Sequence, residues 1–106
     1  MNPEAAIKAL AGPHRLEILR LTRDQPRSVS EIAAHFEISL QAVSQHLQVL
    51  KEAGLVSEQR DGARRLYAVQ PDGLRAVREL LEELWPSRLN RLKRLAETKA
   101  RSKRGH

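Results

Sequence analysis

The feature that most constrains this chain is a pair of short amphipathic segments with almost nothing between them. Ser28 and Glu31 form the S-x-x-E of a capping box. Val29, Ile32, Ala33 and Phe36 follow at i, i+3, i+4 and i+7, the spacing of a two-turn helix with one apolar face. Glu37-Ile38-Ser39 is the whole connection to the next helix. Ser39 is a good N-cap for that helix, which carries Leu40, Val43, Leu47 and Leu50 on one stripe and is stopped by Gly54 in the left-handed conformation. Two helices joined by three residues must cross, which is helix-turn-helix geometry. Glu37 stands where such turns often carry glycine, so a positive φ is expected there.

The flanks extend this unit. Asn2-Pro3 reads as an N-cap with proline at the first helical position, opening a short helix lined by Ile7 and Leu10 that ends near Gly12. Pro13 can start the next helix, whose Leu16, Ile18, Leu19 and Leu21 give it the broad apolar face of a central element. Asp24 to Arg27 reads as a turn. After Gly54 the period changes. Residues 55–60 and 63–69 are strand-like around the hairpin signal Asp61-Gly62, and Pro71-Asp72-Gly73 closes the second strand. A helix with Leu74, Val77, Leu80, Leu81 and Leu84 apolar then meets Trp85-Pro86, where proline interrupts or kinks it, and Leu89, Leu92 and Leu95 continue the stripe. The order predicts a mainly α (α+β) fold: a winged helix-turn-helix with a two-stranded β-hairpin wing and a long C-terminal dimerisation helix. Residues 1–98 are expected to form this domain, for DNA binding and dimerisation on the argument below, and residues 99–106 a basic, disordered tail.

The second helix of the pair, roughly 21 Å long, can lie in a major groove. Opposite its apolar stripe it shows Gln41, Ser44, Gln45 and Gln48, with His46 beside them and no Glu or Lys between Ser39 and Gln48. An ordinary solvated face usually carries those charges. Glutamine suits the adenine N6/N7 edge by paired bonds, and serine reaches a base or a phosphate. Arg60, Arg64 and Arg65 flank the hairpin turn and can reach phosphates or a minor groove, although charges on a strand edge also guard against edge-to-edge pairing.

Composition narrows the alternatives. The 106 residues suit one domain, and with one Phe, one Trp and one Tyr the core must be aliphatic. Cysteine is absent, which removes disulfides, thiolate metal sites and cysteine nucleophiles. No apolar run approaches a membrane span and the N-terminus lacks a signal-peptide pattern, so a soluble cytoplasmic protein with no membrane partner is expected. The net charge of +6 belongs to the C-terminus: residues 88–106 hold eight basic residues against Glu97, and the remainder sums to −1. No nucleophile–base pair, carboxylate pair or phosphate-cradling glycine loop is present, so an enzyme is not expected; the five glycines read as turn, helix-end and tail residues. Ile7, Leu10, Leu81, Leu84, Trp85, Leu89, Leu92 and Leu95 exceed what one small core needs. A two-fold mate would bury them and set two recognition helices about 34 Å apart.

The stretch SVSEIAAHFEISLQAVSQHLQVLKEAGLVSEQRDGARRLYAV, with LAGPHRLEILRLT before it, strongly resembles the ArsR (ArsR/SmtB-like) family of bacterial winged-helix repressors. The resemblance covers about residues 5–97, and AVSQHLQVLKEAGLV with the basic hairpin after it is the most specific part. It implies a homodimer whose terminal helices pack together on a pseudo-palindromic double-stranded DNA operator. Ser39, Gln41, Ser44, Gln45 and His46 match the family's DNA-reading helix, and Arg64 and Arg65 its wing.

Many relatives sense metals, and here the sequence departs from them. One familiar site uses cysteines on the first helix of the pair, where this chain has Ser30-Glu31-Ile32-Ala33-Ala34-His35. Another uses Asp and His on the C-terminal helix; Asp72 is present, but no His occurs between residues 47 and 105. His14, His35, His46 and His106 have no i, i+4 pairing. No metal or cofactor is therefore expected, and the effector stays open, since a cleft between the helices of a dimer can hold an organic ligand without any motif. The leading reading is a homodimeric transcriptional repressor. The alternatives are a metal- or small-ligand-gated sensor of the same fold and a winged helix used only for protein interaction, which would not need a polar, acid-free helix face.

Overall fold

The computed structural model describes residues 2–88, 91–92 and 94–97. The elements run α1 (Pro3–Leu10), α2 (Pro13–Thr22), β1 (Arg27–Ser28), α3 (Val29–Ala33), α4 (Leu40–Glu52), β2 (Val56–Asp61), β3 (Arg64–Val69) and α5 (Pro71–Leu84). Local chemistry sets most of these ends. Asn2 Oδ1 accepts from the amides of Glu4 and Ala5 at the start of α1. Ser28 and Glu31 close the expected capping box: Ser28 Oγ accepts from the Glu31 amide at 3.2 Å, and the Ser28 amide donates to Glu31 Oε1 at 3.1 Å. Ser39 Oγ accepts from the Ala42 amide at 3.0 Å. At the far end of α4, Gly54 takes φ 78°, and the amides of Gly54 and Leu55 return to the carbonyls of Lys51 and Leu50, the Schellman pattern.

The core is aliphatic. Ile18 of α2, Ile32 of α3, and Val43, Leu47 and Leu50 of α4 are buried together with Leu55, Val56, Tyr67 and Val77. α4 packs against α2, α3 and β2, while α1 packs on α5. Burial of each large α4 side chain contributes about 2 kcal/mol before chain entropy is counted.

Several expectations change. The β2–β3 wing hairpin forms, but β1 joins it, giving an antiparallel sheet in the order β1-β3-β2 with Arg27 opposite Tyr67 and Ser28 opposite Leu66. The turn before α3 is therefore shorter than Asp24 to Arg27. In the hairpin, Asp61 pairs with Arg64, so the two loop residues are Gly62 and Ala63 rather than Asp61 and Gly62. Gly62 has φ 64° and Ala63 has a negative φ, the sign pattern of a II′ turn, in which glycine takes the first loop position. α3 ends at Ala33, and Phe36 packs on the core from the turn that follows. Glu37 does not adopt a positive φ, so the connection carries no strain of that kind. Leu40 is 53% exposed and stands apart from the core stripe. α5 stops at Leu84: Trp85 is extended, with ψ 126°, as the residue before a proline is pushed to be, so Pro86 breaks the helix rather than bending it. The described residues beyond Pro86 are again helical.

Gly73 is a helix-end residue, as read, but its role is packing: it is buried in the first turn of α5. A Cβ built there would lie 2.1 Å from the carbonyl oxygen of Gly54. The amide of Gln70 donates to the Leu55 carbonyl at 2.8 Å beside it. The start of α5 is thus seated directly on the turn that ends α4, and only glycine permits the approach. Helix propensity alone would make Gly73→Ala stabilising. Backbone contact reverses the sign: the variant is expected to lose about 1–3 kcal/mol, read as a lower urea midpoint, and an unchanged or raised midpoint would contradict the seating.

Candidate nucleic-acid interface

α4 is 13 residues long, about 20 Å, with both ends fixed by the Ser39 and Gly54 caps. Its core stripe of Val43, Leu47 and Leu50 turns Gln41, Ser44, Gln45 and Gln48 to solvent, and all four are exposed, as is Ser39. Gln48 Nε2 donates to Glu52 Oε1 at 3.0 Å, so the acid at the end of the helix already holds one of its amides. Gln41, Ser44 and Gln45 are open for hydrogen bonds to another molecule.

His46 does not share that face. It is half-buried, with its ring 5.5 Å from the ring of His14 at the start of α2, and His14 in turn meets Phe36 edge-on at 5.5 Å. Arg15 Nη1 lies 3.4 Å from His46 Nδ1. A guanidinium only donates, so Nδ1 is the acceptor and the imidazole proton sits on Nε2. Arg15 Nε also donates to the Ala9 carbonyl at 2.6 Å, tying the end of α1 to the same cluster. Burial first, and then Arg15 and His14, push the His46 imidazole below its ordinary pKa. The helical period places His46 about 40° from Leu50, but the partner that draws it inward is 31 residues earlier in the chain.

The wing arginines are less free than the sequence suggests. Arg64 forms an ion pair with Glu31 of the capping box. The Glu31 carboxyl is held below its ordinary pKa by the Ser28 amide, then the Ser28 hydroxyl, with Arg64 and Arg27 adding to it. Arg65 Nε lies 3.5 Å from Glu58 Oε1, and Glu58 also accepts from Lys51 Nζ at 2.9 Å and Tyr67 Oη at 3.3 Å. Lys51 is the main cause of the lowered Glu58 pKa. This network joins the end of α4 to β2 and β3, so helix and wing hold one orientation. Arg60 is exposed and sits directly opposite Arg65 across the strands. Like charges in that position destabilise a hairpin unless a counter-charge is supplied.

The apolar residues expected at a dimer interface divide. Ile7, Leu81, Leu84, Trp85, Leu92 and Leu95 are exposed, Leu84 by 69%. Leu10 is partly buried and packs against the chain's own core, so less of it is exposed than of the others. Leu89 and the basic tail lie outside the described residues. Sequence reasoning missed Leu40 as a candidate surface residue, because the apolar period assigned it to the core.

Neither of the two metal-ligand patterns weighed from the sequence is complete among the described residues. Cysteine is absent from the chain, and Asp72 is paired with Arg75 at 3.0 Å rather than with a histidine. Among the described residues no three His, Asp or Glu side chains gather as a ligand set. Nor is any helix among them long and apolar enough to cross a membrane.

A helix-turn-helix domain family matches residues 10–59. The chain is 42% identical over 84 residues to the HTH-type transcriptional regulator Rv2034 of Mycobacterium tuberculosis, covering 79% of this chain and 78% of that one. It is 35% identical over 79 residues to the transcriptional activator HlyU of Vibrio cholerae, covering 74% and 73%. The solution structure of the homodimeric winged helix-turn-helix DNA-binding domain of Mb0332 from Mycobacterium bovis, described as a possible ArsR-family regulator, matches with TM-score 0.64 and 35% identity over 76% of this chain and 75% of that one.

Because the folded pKa of His46 lies below that of the unfolded chain, the unfolded state binds the proton more readily. The stability contributed by neutral His46 is fully present above the ordinary imidazole pKa, starts to decline as pH falls past it, and is lost as pH falls through the lowered folded value. Urea midpoints measured from about pH 8 to about pH 5 should fall for the native chain and fall less steeply for His46→Gln; parallel curves would contradict the placement of His46.

Proposed function

The chain belongs to the ArsR family of winged helix-turn-helix transcriptional regulators, and from that membership we propose that it acts as a homodimeric repressor on an inverted-repeat operator. The observation that carries the reading is the outward, acid-free face of Gln41, Ser44 and Gln45 on a helix capped at both ends. In this reading α4 enters the major groove, where paired amide bonds favour adenine, and the wing lies against the backbone with Arg60, Arg64 and Arg65 toward phosphate. The acids that hold Arg64 and Arg65 act as placeholders that a phosphate displaces. The network at Glu58 keeps wing and helix in register, so one duplex can engage both.

Dimerisation completes the site. A single domain reads a few base pairs; two domains on a common axis turn the second contact into an intramolecular event. The face supporting this is Ile7 on α1 with Leu81, Leu84 and Trp85 at the end of α5, and Leu92 and Leu95 beyond Pro86, all exposed in the single chain. Covering a promoter in this way excludes other proteins from it, which is repression. One relative is named an activator, so the sign of regulation is what a promoter assay reads.

Selection of bound sites from random DNA tests the reading, with a two-fold symmetric footprint and a steep loss of affinity with salt as the expected result. On the recovered site, Gln45→Ala should lower the preference for that sequence by about 1–3 kcal/mol, whereas Arg64→Ala should weaken all sequences alike and flatten the salt slope. Unchanged titrations for both variants would remove the assigned contacts. Leu84→Arg, on a side chain the single chain leaves bare, should convert a sedimenting dimer into a folded monomer with weakened operator binding; a dimer that persists would place the partner surface elsewhere.

A further inference from the structure

Exposed leucines are ordinary, but the position of Leu40 is not. It is the first residue of α4, 53% exposed, and it is flanked by the exposed Ser39, Gln41 and Ser44. By helical rotation it lies about 40° from Ser44 and about 100° from Gln41, so it borders the polar face. The core closes on Val43, Leu47 and Leu50 and leaves this first turn projecting. The N-terminal turn of a recognition helix is the end that meets base edges. A leucine there cannot replace the hydrogen bonds that water makes to a guanine, cytosine or adenine edge. Only one group on a major-groove edge is apolar, the C5-methyl of thymine.

We infer that Leu40 reads the C5-methyl group of a thymine adjoining the bases met by Gln41 and Ser44. The inference rests on the DNA-reading assignment of α4 and adds a base preference to it. The methyl and the leucine leave water together, and no polar group loses a partner. A cytosine at the same place carries only a hydrogen at C5, so the contact is lost, which makes Leu40 a discriminator between T·A and C·G pairs. Gln41 and Ser44 supply hydrogen bonds, and Leu40 supplies the contact that hydrogen bonds cannot.

The test uses the full chain and the duplex recovered by selection, with each thymine replaced singly by deoxyuridine, which deletes only the methyl. One position per half-site should lose affinity roughly fourfold, and changing both half-sites roughly fifteenfold, as expected for one methyl group returned to water at each. Leu40→Ala should bind the thymine duplex more weakly by a similar factor and no longer distinguish it from the deoxyuridine duplex. The inference is overturned if no thymine position is sensitive in the native chain, or if Leu40→Ala keeps the full sensitivity, which would give the methyl to another side chain. It is also overturned if Leu40→Ala changes the sedimenting species, which would make Leu40 an interface residue between copies. Absence of any sequence-selective binding by the native chain is a different result: it removes the DNA-reading assignment itself.

Discussion

The rest of the molecule depends on the rotational setting of α4. Val43, Leu47 and Leu50 are fully buried against Ile18, Ile32 and Leu55, and no rotation of the helix keeps them there while changing what faces out. The caps at Ser39 and Gly54 fix where the helix begins and ends, so the setting is longitudinal as well as rotational. A face of Gln41, Ser44 and Gln45 is then presented as a rigid pattern of donors and acceptors. Little side-chain and backbone freedom remains to be lost when another surface meets it, which is the advantage of building recognition on a packed helix rather than a loop.

Electrostatics join the wing to that helix. Glu58 on β2 accepts from Lys51 at the end of α4 and from Tyr67 on β3, and stands near Arg65. Exposed ion pairs of this sort are worth little individually, but here they coordinate three elements. Gly73 acts in the same sense, seating α5 on the turn after α4. The α4 helix, the β2–β3 hairpin and the helix that carries the exposed apolar surface are therefore referred to one short turn, Gly54-Leu55. A displacement of α5 would be felt at α4 through that turn.

What the sequence disclosed were the features that local chemistry determines. The Ser28–Glu31 box, the Ser39 and Asn2 caps, the left-handed Gly54 and the change of period after it each act within a few residues, and each is found as read. What it concealed depends on neighbours distant in the chain. β1 exists because β3 has a free edge for Arg27 and Ser28. Gly73 is required by a carbonyl 19 residues earlier. His46 is drawn inward by Arg15 and His14, and Leu10 by the core itself. Leu40 kept its apolar period and still faces solvent, because a period tells which face a residue shares and not how far the neighbouring helix extends. Of the candidate reading face, Gln41, Ser44, Gln45 and Gln48 were legible, because they oppose a stripe whose burial is unambiguous.

The central claim is that this face of α4 is what meets DNA. The side-chain amide signals of glutamine report on it directly in a nuclear magnetic resonance titration with the selected duplex and a scrambled control. The account predicts that the selected duplex shifts the amides of Gln41 and Gln45 while Gln25 and Gln70, which lie on other surfaces, stay in place. Shifts confined to Gln25 or Gln70, with Gln41 and Gln45 unmoved, would contradict it.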